Sequence, residues 1–460
     1  MALLDSSPRS SDGTFTPEPQ AKVPPDVASP AITAARLWDR FRGAFWTLLD
    51  QGTISLGTFL VNVQLARQLD ASEYGTFALL FGSYFLLQLI NAALIFFPLM
   101  LKLADSKEER SSGLVFVSLI LTTLTTCSFT AVVVSCLIFF YRSELAFAAA
   151  AYIILWQLQD VLRRALLAQF CHRVAAIADG ITYIGAAAGI GILASLDSLS
   201  LSNALFAMAS TCTLAIAVQA LYRPPTFPRG INARILLRDF WRNGKWALVN
   251  GVMLIVTLQA FPWVLATSDG GPAAAGAFQA ILNIANLANP IAFGLYNIIL
   301  PAVARAYASG DMHHAWRAAR TYIAIGAALL SIFLIPVMLV PHTVLALLYG
   351  ANSSYAYLEQ AVRVMALAAA INALAEMMDT FIHGVGSGKL AVWMNGAGLG
   401  VVALLLPLLG LHSVLEFALV FAAARVVRFI AASCIITRML SSEKRSLRAH
   451  VKDATGRRGA

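Results

Sequence analysis

Apolar stretches of about 20 residues follow one another along most of this chain, with short polar segments between them. A stretch of that length crosses a hydrocarbon layer roughly 30 Å thick as an α-helix. The stretches lack the alternation of polar and apolar residues that a membrane β-strand needs, and lipid offers no partner to unpaired backbone groups. The sequence therefore predicts an all-α, polytopic membrane protein.

Twelve spans can be placed along the chain, in two sets of six. They are residues 44–68, 74–101, 113–140, 145–170, 175–196 and 201–222, followed by 246–267, 274–303, 318–348, 356–384, 389–410 and 413–440. The predicted organisation is a disordered and interfacial N-terminal tail (1–43), an N-lobe (44–222), a cytoplasmic linker (223–245), a C-lobe (246–440) and a charged, disordered cytoplasmic tail (441–460).

The second half of the chain repeats features of the first half. Gly75 opens an apolar run that ends near Pro98, and Gly276 opens a similar run that ends at Pro301. The residues Asp160, Arg173 and Gly180 precede Glu376, Lys389 and Gly396 by 216 positions each. Repeats on this scale are typical of secondary transporters, whose substrate site lies between the halves. We therefore predict two six-helix lobes, related by a pseudo-twofold repeat, around a central cavity.

The cationic residues give the orientation. With the N-terminus in the cytoplasm, 30 of the 33 lysines and arginines fall on the cytoplasmic side, and the exceptions are Arg67, Arg142 and Arg363. This bias predicts that both termini are cytoplasmic. It also accounts for the net charge of +9 without a nucleic-acid partner.

Several functions are disfavoured by what the sequence contains. The five cysteines show no metal-ligand spacing, and neither a nucleotide-binding loop nor a His-Glu-x-x-His motif occurs. The predicted external loops are short, whereas membrane polymerases and ligases usually carry large ones. We expect a transporter and not an enzyme, with no catalytic residues, cofactor or metal.

Residues 65–79 (Leu-Ala-Arg-Gln-Leu-Asp-Ala-Ser-Glu-Tyr-Gly-Thr-Phe-Ala-Leu) resemble the polysaccharide-biosynthesis flippases of the multidrug/oligosaccharidyl-lipid/polysaccharide exporter superfamily. Similar motifs recur at 276–279 and 348–350. The resemblance implies translocation of an undecaprenyl-pyrophosphate-linked oligosaccharide across the bacterial inner membrane by alternating access, in lipopolysaccharide or exopolysaccharide biosynthesis. The implied partners are the lipid-linked oligosaccharide, membrane lipids, and polymerase and export components of a polysaccharide pathway.

Two alternatives stay open at this point. A cation-coupled exporter of drugs or other small molecules belongs to the same superfamily. A membrane polysaccharide polymerase or ligase is a third reading, which the short loops disfavour.

Amide side chains form a stripe on the predicted eighth span. At 100° per residue, one arc of about 60° contains Gln279, Asn283, Asn286, Pro290 and Asn297. Amides are costly in hydrocarbon unless they are paired or hydrated, so the stripe predicts a cavity wall that binds sugar hydroxyls. Contacts between helices are the alternative. Gln88 and Asn91 on the second span suggest a weaker version of the same wall.

Charged residues on the fourth and tenth spans are further candidates. Arg163 and Arg164 could receive the pyrophosphate, or they could be interfacial anchors that Asp160 neutralises locally. Glu376, Asp379 and His383 share a face with Asn372 and could bind a coupling proton or Na⁺. Salt bridges to Arg163, Arg164, Arg425 or Arg428 are the alternative for these acids. Asp160 is a fourth coupling-ion candidate.

Proline removes a backbone hydrogen bond and lets a helix bend. Among the prolines inside spans, Pro262 and Pro290 are the predicted hinges for alternating access.

Overall fold

A computed structural model of the chain describes residues 34–104, 108–140, 142–227 and 233–456. The described residues from Phe45 onward belong to one compact unit. The helices are α1 (Ala34–Gln68), α2 (Ala71–Asn91), α3 (Phe97–Ala104), α4 (Glu108–Phe139), α5 (Ser143–Ala168), α6 (His172–Asp179), α7 (Gly185–Ser195), α8 (Leu201–Tyr222), α9 (Ala233–Ala266), α10 (Gly271–Asn286), α11 (Asn289–Ser309), α12 (Met312–Leu339), α13 (Pro341–Tyr349), α14 (Glu359–Gly384), α15 (Gly388–Leu408) and α16 (Val414–Gly456).

The predicted all-α class is confirmed, because every element assigned within the described ranges is helical. Eleven helices there are long and apolar enough to cross a membrane. The predicted first span lies within α1, and α10 and α11 share the predicted eighth span. Two π-helical turns, Ala92–Phe96 and Gly180–Ile184, join α2 to α3 and α6 to α7. These eleven helices, together with the first span predicted within α1, give a twelve-span, two-lobe helical fold.

The internal repeat is visible in the helix bounds. Helix α5 (Ser143–Ala168) and helix α14 (Glu359–Gly384) begin and end 216 positions apart, the same offset that relates Asp160 to Glu376 in the sequence. In the first half α5 packs against α4 and α8, and in the second half α14 packs against α12 and α16. The two halves therefore share one arrangement of helices around their fourth span, which is α5 in the first half and α14 in the second.

The predicted eighth span is interrupted, which the periodicity did not indicate. Leu287 and Ala288 donate their backbone N–H groups to Ile284 and Ala285, three residues back, each at 3.3 Å. Pro290 in the first turn of α11 has no N–H to donate, and its ring disfavours a helical residue before it. The helix therefore stops at Asn286 and a new one starts at Asn289.

Two helices extend beyond the predicted spans. Helix α9 starts at Ala233, inside the predicted linker 223–245. Helix α16 continues to Gly456, into the tail 441–460 for which disorder is predicted. That segment contains Glu443, Lys444, Arg445 and Leu447, which are good helix formers and extend a helix that the membrane span has already nucleated.

The lobes touch where α2 and α10 begin. A Cβ atom on Gly75 would lie 1.6 Å from the carbonyl oxygen of Pro272, and one on Gly276 would lie 2.8 Å from that of Ala71. Only residues without a side chain allow two backbones to approach so closely. The glycines that mark the repeat in the sequence thus lie at one contact between the lobes.

Helix α9 packs along α2 from that end onward. A Cβ on Gly82 would lie 2.6 Å from Gln259 Oε1, and one on Gly251 would lie 2.2 Å from Leu89 Cδ1. At the far end Lys102 Nζ lies 2.8 Å from Asp239 Oδ2. The hydrogen bond from Lys102 holds the pKa of the Asp239 carboxyl below its ordinary value.

Candidate substrate cavity and polar clusters

A cavity of about 410 Å³ lies between the halves, a size typical of ligand sites. Its wall combines aromatic rings with amide and hydroxyl groups, among them Thr58, Asn62, Phe81, Phe85, Tyr152, Trp156, Tyr183, Asn283, Asn286 and Asn289. None of the described side chains on this wall is charged. The cavity can therefore solvate a polar neutral group while excluding an unpaired ion.

The aromatic part of the wall belongs to the first half. The rings of Phe81 and Tyr152 stack with centroids 6.0 Å apart, and Tyr152 stacks on Trp156 at 6.1 Å. Phe85 meets Trp156 edge-on at 6.3 Å. The indole N–H of Trp156 donates to Tyr183 Oη at 3.3 Å, which fixes the indole plane.

The amide part belongs to α10 and to the interruption that follows it. Asn283 and Asn286 of the predicted stripe reach the cavity, together with Asn289 at the start of α11. Gln279 lies one turn away and donates to Asn283 Oδ1 at 2.8 Å. The side chain of Asn297 lies outside the described residues. The interruption brings Asn286 and Asn289 together, since Asn289 Nδ2 lies 3.3 Å from Asn286 Oδ1.

One hydrogen-bonded bridge crosses between the halves beside the cavity. Asn283 Nδ2 of α10 donates to Tyr74 Oη of α2 at 2.7 Å, and Tyr74 in turn donates to Asn62 Oδ1 of α1 at 3.4 Å. Tyr74 is fully buried. The bridge thus ties one wall of the cavity to the contact between the lobes.

Replacing Tyr74 with phenylalanine is expected to lower stability by about 1–3 kcal/mol, because the substitution removes the hydroxyl that bonds the buried Asn62 Oδ1 and Asn283 Nδ2 atoms. The check is thermal unfolding of the purified protein in detergent. The exposed Tyr222→Phe variant serves as the control and should melt like the parent protein. Equal melting temperatures for both variants would mean that the bridge contributes nothing.

The predicted pyrophosphate residues are paired with carboxylates instead of lining this cavity. Arg163 is 8% exposed and lies 2.6 Å from Asp50 Oδ2, and it also bonds Asp179. Asp160 Oδ2 lies 2.7 Å from Arg164 Nε. Three carboxylates and two guanidinium groups thus form one buried N-lobe cluster.

Gln88 and Asn91 belong to the same cluster. Gln88 donates to Asp160 at 2.5 Å and accepts from Gln157 at 2.9 Å, and Asn91 donates to Gln157 at 2.9 Å. These amides are therefore internal hydrogen-bond partners in this arrangement. Their predicted role in binding substrate stays a prediction.

A second polar cluster occupies the other lobe. Arg428 of α16 lies 2.5 Å from Glu376 Oε1 and 3.6 Å from Asp379 Oδ2. It also donates to Asn372 and Asn395, and His383 Nδ1 lies 3.2 Å from Asp379 Oδ1. The salt-bridge alternative for the tenth span is thus observed with Arg428, while ion coupling by Glu376, Asp379, His383 or Asp160 stays a prediction.

The two clusters are related by the repeat but not identical. Asp179 and Asn395, 216 positions apart, both accept from an arginine Nε. In the first half that arginine is Arg163 on α5, and in the second it is Arg428 on α16. The offset of 216 positions relates Asp179 to Asn395 and could have pointed to Asp179 as a member of the N-lobe cluster. Neither Asp179 nor the pairing of Asp50 with Arg163 was predicted from the sequence.

The predicted hinges differ in structure. Pro290 adjoins the interruption between α10 and α11, whereas Pro262 is buried inside an unbroken α9. Whether either residue acts as a hinge stays a prediction.

The repeated bundles, the neutral cavity between them and the buried ionic clusters define a two-lobed helical membrane protein with the architecture of a transporter. Comparison with known proteins gives the particular fold. Residues 249–409 match the MatE family model. No curated protein matches the chain significantly.

Solved structures match over most of the chain. An inward-facing multidrug resistance MATE family transporter of the MOP superfamily aligns with a TM-score of 0.70 at 15% identity, over 84% of this chain and 96% of that one. An outward-facing transporter of the same description aligns with a TM-score of 0.59 at 15% identity, over 87% of this chain and 96% of that one. A MOP superfamily transporter from Pyrococcus furiosus, whose binding pocket is described as having reverse polarity, aligns with a TM-score of 0.59 at 14% identity, over 87% of this chain and 95% of that one. The fold is therefore that of the MATE and MOP superfamily transporters.

Proposed function

We propose that the protein translocates a lipid-linked oligosaccharide of the undecaprenyl-pyrophosphate type across the bacterial inner membrane, with both termini in the cytoplasm. The observation that carries the proposal is the uncharged cavity, in which amides face an aromatic wall. Amide groups donate to and accept from hydroxyls, and aromatic faces pack on apolar ring surfaces. A neutral glycan needs both kinds of contact.

Alternating access would move the lobes, residues 44–222 and 246–440, about this cavity. The contact between Gly75 and Pro272 supports this view, because it closes the end at which α2 and α10 begin. In the orientation predicted from the positive charges, that end faces away from the cytoplasm. Substrate would then enter from the opposite end and leave after the contact opens.

The N-lobe cluster supports coupling to a proton. Asp50, Asp160 and Asp179 face two guanidinium groups, so one negative charge is left over in a buried site. Such a charge is costly, and binding a proton removes the cost.

Export of small amphipathic compounds is a second candidate function. The stacked rings of Phe81, Tyr152 and Trp156 would accept a planar apolar compound as well as a sugar. Transporters described as multidrug resistance proteins share the fold. The lack of charge on the described cavity wall disfavours cationic compounds within this class.

The test is transport by the full-length protein in proteoliposomes. One assay follows the flipping of a fluorescent prenyl-pyrophosphate-linked oligosaccharide, and a second follows the efflux of an amphipathic dye. The proposal expects flipping without dye efflux. Efflux without flipping would identify the exporter, and the lipid-linked glycan would then not be the substrate.

Two cavity variants make the same test specific. Trp156→Ala and Asn286→Ala are each expected to slow flipping about tenfold, because each removes one contact to the glycan from the cavity wall. Asn203→Ala is the matched control, since Asn203 is an exposed amide on α8 that bonds Ser198. Flipping at the parental rate in both cavity variants would place the glycan elsewhere.

A further inference from the structure

Beside the C-lobe cluster of Arg428, Glu376 and Asp379 lies a second arginine, two of whose guanidinium nitrogens have no hydrogen-bond acceptor among the described residues. Arg425 lies near the middle of the candidate span Val414–Glu443 and is only 2% exposed. Its Nε and Nη2 atoms make no hydrogen bond to any described residue. Its guanidinium carbon instead lies 4.4 Å from the ring centroid of Phe421. A buried cation over an aromatic face recovers only part of the free energy of hydration that it loses.

The neighbouring arginine takes both available carboxylates. Arg428, one turn further along α16, binds Glu376 and Asp379. The charged groups that act on Arg425 are Arg428, which repels it, and Glu376, which attracts it. Arg425 is thus the cation of this group whose Nε and Nη2 atoms lack an acceptor among the described residues, and its natural ligand is a further anion.

The cluster is partly exposed at one side. The side chain of Glu376 is 27% exposed and that of His383 is 46% exposed, whereas those of Arg428 and Asp379 are 3% and 14% exposed. An anion can therefore reach the cluster by way of Glu376, the carboxylate that covers Arg428. Sites near the middle of the bilayer, between repeated bundles, are where transporters hold their substrates.

We propose that Arg425 and Arg428 together bind the diphosphate group of a prenyl-diphosphate-linked substrate, and that Glu376 holds part of this site while it is empty; this inference rests on the proposed function. Two guanidinium groups one turn apart on α16 match the two phosphates of a diphosphate. The diphosphate displaces the Glu376 carboxylate from Arg428 and supplies the missing partner of Arg425. Glu376 then turns toward its exposed side.

This assignment differs from the pairing in the N-lobe. Arg163 and Arg164 each hold a carboxylate within 2.7 Å, and the three acids around them outnumber the two cations. A diphosphate arriving there would meet a surplus of negative charge. In the C-lobe it meets a cation that lacks an anion.

The inference predicts opposite effects for two substitutions. Arg425→Gln removes a charged donor and should weaken diphosphate binding about tenfold. Glu376→Gln removes the competing carboxylate and should strengthen it. A purely structural role for the cluster would not move the two affinities in opposite directions.

The measurement is ligand-induced thermal stabilisation of the purified full-length protein in detergent. The probes are farnesyl diphosphate, farnesol and inorganic diphosphate. Farnesyl diphosphate should stabilise the parent protein and the Arg438→Gln control, which removes an exposed arginine from the same helix. Farnesol should not stabilise it, and inorganic diphosphate should bind more weakly than the lipid diphosphate.

Several results would overturn the inference: no stabilisation of the parent protein by farnesyl diphosphate, equal stabilisation by farnesol, or the same affinity in Arg425→Gln as in the parent. Equal affinity for inorganic and farnesyl diphosphate would overturn the assignment to a lipid headgroup. Glycan flipping in proteoliposomes together with any of these results would leave the proposed function in place, whereas absent flipping overturns that function independently.

Loss of fold is separated from loss of binding by the melting temperature without ligand. Removing an unpaired buried cation takes away a desolvation cost, so Arg425→Gln should melt at or above the parental temperature. Arg425→Lys keeps the charge without the planar fork and should bind with intermediate affinity. A Lys variant that binds no better than the Gln variant would contradict an electrostatic role.

Discussion

Alanine at position 75 is expected to keep the lobes apart where α2 and α10 begin and to abolish transport. The added Cβ would lie 1.6 Å from the carbonyl oxygen of Pro272 and 2.4 Å from its carbonyl carbon. These are backbone atoms, which no side-chain rotation can move. The cost should reach or exceed the upper end of the ~1–3 kcal/mol range for overpacking, which lowers the closed population by about 100-fold.

The measurement is the distance between spin labels at Gln68 and Asp269, two exposed positions at this end, in a background without native cysteines. Gly75→Ala should lengthen that distance and stop glycan flipping. Gly276→Ala, whose Cβ would meet Ala71 O at 2.8 Å, should act in the same direction with a smaller effect.

Gly52→Ala is the matched control for this prediction. Gly52 is also helical, but an added Cβ there has no atom within 4 Å. Alanine should be neutral or stabilise α1 by up to about 1 kcal/mol, because it is the better helix former. Parental transport and label distance in Gly75→Ala would show that the lobes do not need this contact.

The glycine contact also illustrates which features were accessible from the sequence. Gly75 and Gly276 mark the start of the two repeats, and the offset of 216 positions relates α5 to α14 at both ends. Span length, hydropathy and repetition are local properties, so they predicted the helical class and the two-lobe fold. Contact between the glycines depends on how two helices cross, and no local pattern encodes that.

The amide stripe shows a second limit of sequence reasoning. The stripe was placed by assuming one continuous helix from Gln279 to Asn297, whereas the helix stops at Asn286. Beyond an interruption the 100° rotation per residue no longer applies. Asn283 and Asn286, which precede the interruption, lie on the cavity wall together with Asn289, which the stripe omitted.

The ionic cluster shows a third limit. Arg163 and Arg164 could be assigned to Asp160 because residues three or four apart share a helix face. Asp50 and Asp179 lie on other helices, 113 and 16 positions from Arg163 in the sequence. Their pairing depends on how α1 and α6 pack on α5, so the sequence left Arg163 open to a role in binding substrate.

Replacing Arg163 with glutamine is expected to destabilise the protein by about 3–5 kcal/mol, because the substitution strands buried carboxylates. Arg163 Nη2 lies 2.6 Å from Asp50 Oδ2, Nε bonds Asp179, and Nη1 lies 3.8 Å from Asp160 Oδ1. All three acids are less than a tenth exposed. Folded yield on size-exclusion chromatography and the melting temperature in detergent should both fall sharply.

Arg164→Gln provides the comparison within the same cluster. The Arg164 side chain is 27% exposed, and its partner Asp160 keeps Arg163 and Gln88 after the substitution. Its loss should therefore cost no more than about 1 kcal/mol. A similar loss of stability in both variants would mean that the position of the charge within the cluster is unimportant.

A second substitution separates the structural role of Arg163 from a role in binding substrate. If the damage comes from the stranded carboxylates, Asp179→Asn in the Arg163→Gln background removes one of them and should recover a measurable part of the lost stability. If Arg163 instead served only to hold a substrate anion, its loss would stop transport while leaving the melting temperature unchanged. Asp179→Asn would then have no stability to restore, so the double variant decides between the two roles without a transport assay.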